Sequence, residues 1–114
     1  MKLATEALRD RVLADVVRRL TEAYDPLAIY LFGSKARGEA GPDSDYDLMV
    51  IVPEDAPPER RGSRLAYERL WETACAADVL VWTRETFESR SHLKASLPGT
   101  ILREGRLLYA GRSR

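Results

Sequence analysis

The sequence predicts an α/β (α+β) fold, a small mixed β-sheet with helices packed on it. Three observations carry that expectation. One long stretch repeats its apolar residues at helical spacing, several short apolar runs are bounded by Gly, Pro or Asp, and the two patterns alternate irregularly. The predicted order is helix, strand, strand, helix, strand, helix, strand, which is too irregular for a doubly wound parallel sheet. A length of 114 residues suits one domain over 1–114, with an N-terminal helix at about 5–24 and a core at about 25–110.

Each element has its own signal. Over 5–24, Leu8, Val12, Val16, Leu20 and Tyr24 recur every four residues with Leu13 and Val17 beside them, and Arg and Glu fill the other face. Asp25-Pro26 ends that helix, since proline disfavours helical geometry in the residue before it. Residues 27–32 read as a short buried strand that stops at Gly33, and 45–52 as a second strand closed by Pro53. Between them, 33–44 carries three glycines and a proline and forms a loop with one helical turn. The polar segment 53–62 is a surface connection to a helix over 63–77 with a stripe of Leu65, Leu70, Trp71 and Ala74. Residues 78–82 make a third strand, Thr83 caps a short helix through Phe87, 96–104 holds another helical turn before Gly105, and 107–110 adds a last edge strand. Trp71 and Trp82 read as core.

Composition removes several classes of function. Eighteen basic and eighteen acidic residues balance to zero formal charge, so the electrostatic attraction behind non-specific nucleic-acid binding is missing and no direct nucleic-acid partner is expected. No apolar run approaches the roughly 20 residues that span a bilayer, and the first residues carry charge where a secretory signal is apolar. The expected location is cytoplasmic. Cys75 is the single cysteine, which excludes a disulfide framework or a multi-cysteine zinc site within the chain and reads as a small buried apolar side chain.

The chemistry gathers at the strand ends. Side chains alternate along a strand, so Asp45 and Asp47 point to one side at the start of the second strand. Carboxylates held this close repel unless a cation sits between them, and oxygen-rich sites suit hard ions such as magnesium. A short connection makes the first two strands antiparallel, which brings Gly33-Ser34 beside the two acids. Gly33 has no side chain to keep a phosphate away, Ser34 offers a hydroxyl and a backbone N–H, a helical turn beginning there aims its positive end at an anion, and Lys35 and Arg37 add positive charge. About 25 residues containing a helix join the second and third strands, as a parallel crossover requires, so the two strands start at the same edge. Asp78 opens the third strand and can stand beside Asp45 and Asp47. In phosphoryl-transfer logic the first two acids hold magnesium across a triphosphate, and Asp78 helps hold a second ion and activates the attacking hydroxyl.

GSKARG, then PDSDYDL, places Gly33-Ser34 ten residues before Asp45-x-Asp47, and ADVLVW supplies Asp78. This pattern resembles the signature of the DNA polymerase beta-like nucleotidyltransferase superfamily. Small size and the ending ILREGRLLYAG make the chain most similar to the minimal nucleotidyltransferase (MNT) group, over roughly 23–110. The resemblance implies a nucleotidyltransferase fold, a nucleoside triphosphate such as ATP as donor, Mg2+ as the ion, and a HEPN-domain toxin as partner. The implied role is an antitoxin that transfers AMP to a hydroxyl, expected at tyrosine, of that partner. Lys35 departs mildly from the group, where arginine is common at its place, and keeps the basic charge.

A calcium loop is suggested by Asp43, Asp45, Asp47 and Glu54, but it needs glycine at the sixth position, where Leu48 stands, and residues 48–52 are strand-like. A non-catalytic antitoxin that works by complex formation and a small-molecule nucleotidyltransferase are the functional alternatives. His92 has no carboxylate or cysteine at ligand spacing and reads as a solvated surface residue. Arg60, Arg61, Arg64 and Arg69 read as surface charge, and Tyr46 as a residue of the strand face opposite the acids.

Overall fold

The computed structural model describes residues 2–3, 11–36, 38, 45–73 and 77–111, with backbone alone for 2, 3, 34 and 35. Helix α1 spans Arg11–Tyr24 and buries Leu13, Val16, Val17, Leu20, Ala23 and Tyr24, the stripe expected from the spacing. The expected start at residues 5–10 lies outside the described residues. Val12, placed in the stripe by spacing, is 42% exposed, because the buried face runs through Leu13 in the first turn. The helix ends at Asp25, whose φ of 46° and N–H bond to the Thr21 carbonyl close the last turn before Pro26.

Among the described residues, five strands form one mixed sheet. They are β1 (Lys2–Leu3), β2 (Ala28–Phe32), β3 (Tyr46–Val52), β4 (Ala77–Thr83) and β5 (Arg106–Ala110), in the order β1-β5-β2-β3-β4. Strand β2 runs antiparallel to β3, and β3 runs parallel to β4, as the connection lengths required. The last strand is not an edge: β5 pairs with β2 on one side and with the two-residue β1 on the other, so its expected edge position is corrected. Two residues are too few to carry an alternating pattern, which is why β1 left no mark in the sequence.

Helices cover both faces. Helix α2 (Gly33–Ala36) is a single turn, α3 spans Arg64–Leu70, α4 spans Arg84–Ser91 and α5 spans Leu97–Glu104. One core joins α1 and α3, through Ala66 and Leu70, to Leu48, Val50, Val52, Ile29, Leu31 and Val79. The other joins Phe87 of α4 and Ile101 of α5 to Met49 and Ile51, with Tyr30, Phe32, Leu80 and Trp82 packed against it. Strand β3 is therefore buried on both sides, which accounts for its unbroken apolar run. Among the described residues no helix is long and apolar enough to cross a membrane.

Caps and loop contacts fix the connections. The Thr83 hydroxyl accepts from the Thr86 N–H, the side-chain cap that the sequence suggested, and the Ser96 hydroxyl caps the next helix in the same way by accepting from the Gly99 N–H. The first of these helices runs past Phe87 to Ser91. The Glu54 carboxylate accepts from the Glu85 N–H at 2.6 Å, which ties the proline-rich connection to the first turn of α4, and Arg61 donates to the Ala56 and Glu54 carbonyls, bracing the connection on itself. The helix expected over 63–77 stops at Leu70, and Trp71 follows it at 86% exposure rather than in the core. Its stripe broke because the chain turns through Thr73, whose N–H and hydroxyl both donate to the Leu70 carbonyl. Trp82 is half-buried against the second core as expected, with the Arg90 guanidinium over its ring. Cys75 and Ala74 lie outside the described residues.

Tyr24 joins α1 to α3. Its buried hydroxyl donates to the Gly62 carbonyl at 2.6 Å and accepts from the Ala66 N–H at 2.8 Å. Tyr24→Phe leaves both backbone groups without that partner, and the expected loss is about 1–3 kcal/mol of stability in a urea titration. A loss below a few tenths of that range would show that water replaces the hydroxyl freely.

Candidate active site

The site grows from one turn and two strand starts. Phe32, the last residue of β2, pairs with Asp47 of β3, so the chain leaves the sheet beside that acid. It does so through Gly33, whose φ of 75° lies in the left-handed region that side chains disfavour. A Cβ on Gly33 would run into Asp47 Oδ2 and stand 3.2 Å from its Cγ, so the backbone of the turn lies directly against the carboxylate. The turn continues as α2, and the Arg106 Nε donates to the Ala36 carbonyl at 2.9 Å, tying its far end to β5.

The parallel register sets Asp78 of β4 next to Asp47. Asp45 lies exposed just before β3, Asp47 is half-buried, and Asp78 is exposed. Burial, and then the negative charges of Asp78 and Asp45, push the Asp47 carboxyl above its ordinary range. The three acids thus share one electrostatic neighbourhood. Tyr46 between the first two packs against the α1 core, on the opposite face of β3.

Among the described residues, no three His, Cys, Asp or Glu side chains are set to hold one ion together. Asp78 is instead engaged by Tyr67 of α3, whose hydroxyl donates to Asp78 Oδ1 at 3.1 Å. A closed protein cage is not what magnesium needs. That ion typically takes one or two carboxylates and completes its shell with water and phosphate oxygens, so an all-oxygen pair of acids suits it. Asp45 and Asp47, with Asp78 beside them, are the residues that could hold it.

Of the other residues expected at the site, Ser34 and Lys35 contribute backbone to α2, while their side chains and all of Arg37 lie outside the described residues. Asp43 of the calcium-loop reading does so as well. Residues 46–52 form strand β3 rather than a calcium-binding loop. His92 is exposed at the end of α4. Sequence reasoning missed Tyr67 and Arg106. Tyr67 sits in a charged helix with no spacing signal, and only the packing of α3 at the sheet margin reveals its reach to Asp78.

The fold has solved relatives. A protein of Sulfolobus solfataricus assigned as a nucleotidyltransferase superposes with a TM-score of 0.58 at 16% identity, covering 88% of this chain and 78% of that one. A chain of a toxin–antitoxin crystal structure with AMP-PNP superposes with a TM-score of 0.60 at 20% identity, covering 87% of this chain and 73% of that one. Identities this low carry the shared fold and nothing about chemistry. A search of curated proteins finds no significant match. The sequence itself matches the nucleotidyltransferase domain over residues 11–108, nearly all of the described fold and every acid of the site; the chain belongs to that family.

Proposed function

We propose that the chain is a magnesium-dependent nucleotidyltransferase that moves AMP from ATP to a hydroxyl, on tyrosine, of a HEPN-type toxin and thereby acts as its antitoxin in the cytoplasm. The observation that carries the reading is the contact of the Gly33 turn with Asp47, itself in register with Asp78. Family membership supports nucleotidyl transfer, the resemblance of the GSKARG and PDSDYDL segments to the minimal nucleotidyltransferases suggests the donor and the kind of partner, and a toxin–antitoxin structure with AMP-PNP shares the fold.

The acceptor oxygen attacks the α-phosphorus, a new P–O bond forms, and the bond from that phosphorus to the α–β bridging oxygen breaks. Pyrophosphate leaves, and Asp78 takes the hydroxyl proton. Magnesium, when bound, neutralises the triphosphate and the charge that gathers on pyrophosphate. Asp45 and Asp47 would hold it, and Asp78 would contribute to a second ion. The Gly33-Ser34 backbone receives the triphosphate, and Lys35 and Arg37 bring positive charge to it. The exposed position of Asp78, on the outermost strand, lets a hydroxyl presented by another protein reach it.

Incubation with α-labelled ATP, magnesium and the toxin tests this. Wild type is expected to label the toxin, and the Asp45→Asn, Asp47→Asn double variant is not. If the double variant neutralises the toxin as well as wild type does, complex formation and not transfer is the antitoxin activity.

A further inference from the structure

We infer that Tyr67 is a positioning residue for Asp78, holding its carboxylate ready for the ion and the incoming hydroxyl. The inference rests on the proposed reading of the acidic site and adds to it a residue that the family signature in this sequence does not contain.

The geometry is specific. Strand β4 has a sheet neighbour on its β3 side, and its outer margin is approached by α3. Helix α3 packs into the α1 core through Ala66 and Leu70, whereas Asp78 shares its side of β4 with Leu80 and Trp82 of the other core. Tyr67 reaches around that margin. Its hydroxyl donates to Asp78 Oδ1 at 3.1 Å and accepts a longer bond, 3.4 Å, from the Val79 N–H. One hydroxyl therefore locks the side chain of residue 78 to the backbone of residue 79.

An exposed aspartate otherwise samples several rotamers, and Asp47 beside it repels it. The tyrosine occupies Oδ1 and leaves Oδ2 for a ligand, so the carboxylate is ordered before anything binds. The ring is 45% exposed and lines a shallow hollow of about 490 Å³ with Arg64, Glu68 and Trp71. Burial of the ring is thus only part of what this residue does, and removing the hydroxyl isolates the remainder.

The test is binding of Mn2+, standing in for magnesium, in the presence of AMP-PNP, followed by electron paramagnetic resonance. Wild type, Tyr67→Phe, Asp78→Asn and the double variant are compared at a temperature where circular dichroism shows all four folded. Tyr67→Phe is expected to weaken Mn2+ binding about 10- to 100-fold, the usual cost of losing a group that orients a ligand. The double variant is expected to bind no more weakly than Asp78→Asn, since the hydroxyl acts only through that carboxylate. Wild-type affinity in Tyr67→Phe, with Asp78→Asn impaired, overturns the role of Tyr67 alone. Wild-type affinity in Asp78→Asn overturns the reading of the site itself and the inference with it. An additive loss in the double variant shows that the hydroxyl acts elsewhere and also overturns the inference.

Discussion

Asp47→Asn is expected to fold and to transfer nucleotide on the order of 10²- to 10³-fold more slowly than wild type, the range seen when one preorganised electrostatic group at a reacting centre is removed. Asn keeps the shape of the side chain and the contact with the Gly33 turn but lacks the charge that a divalent ion requires. Stability should move the other way. The Asp47 carboxyl is raised above its ordinary value of 3.8 by burial and by Asp78 and Asp45. A raised acid binds its proton more tightly in the folded state, so its contribution to stability is full below 3.8 and is lost as the pH climbs through the raised value. At neutral pH without divalent ions, Asp47→Asn should therefore melt no lower than wild type and by direction higher, with the gap closing in acid. Adding magnesium should stabilise wild type preferentially. Equal transfer rates in the two proteins would remove Asp47 from the chemistry.

Gly33→Ala is expected to cost about 1–2 kcal/mol of stability, the penalty for a left-handed backbone with a Cβ, and activity should fall far more than that strain suggests. The added carbon meets the end of a side chain rather than backbone, so Asp47 yields and the fold survives. A displacement of about 1 Å at a reacting centre is enough to lose on the order of 10²-fold in rate. Gly38 supplies the control, because its φ of 72° is nearly the same and, among the described residues, nothing lies within 4 Å of its Cβ position. Gly38→Ala should show the strain in a denaturation experiment and leave transfer intact. If both variants lose activity equally, backbone strain and not contact with Asp47 is the cause.

What could be read from the sequence was what depends on local pattern. The α1 stripe, the apolar runs of β2, β3 and β4, and the hydroxyl cap at Thr83 follow from spacing and residue type. Connection lengths were enough for the antiparallel β2–β3 and parallel β3–β4 pairings, and these bring the Gly33 turn, Asp47 and Asp78 together. Missing from that reading was what depends on distant partners. The inner position of β5 requires two residues near the other end of the chain. The exposure of Trp71 follows from where α3 stops, and large apolar residues carry no sign of being left outside. Tyr67 meets Asp78 only because a helix packed on one core skirts the margin of the sheet.

The acids stand where β3 begins, whereas the connection braced by Arg61 and Glu54 lies where it ends. Six residues of extended chain from Asp47 to Pro53 separate the two by about 20 Å. Glu59, exposed in that connection, offers an attachment point for a fluorophore or a surface linker. A protein immobilised there would keep its reactive margin turned toward solution, so nucleotide exchange and partner capture could be followed on one tethered molecule.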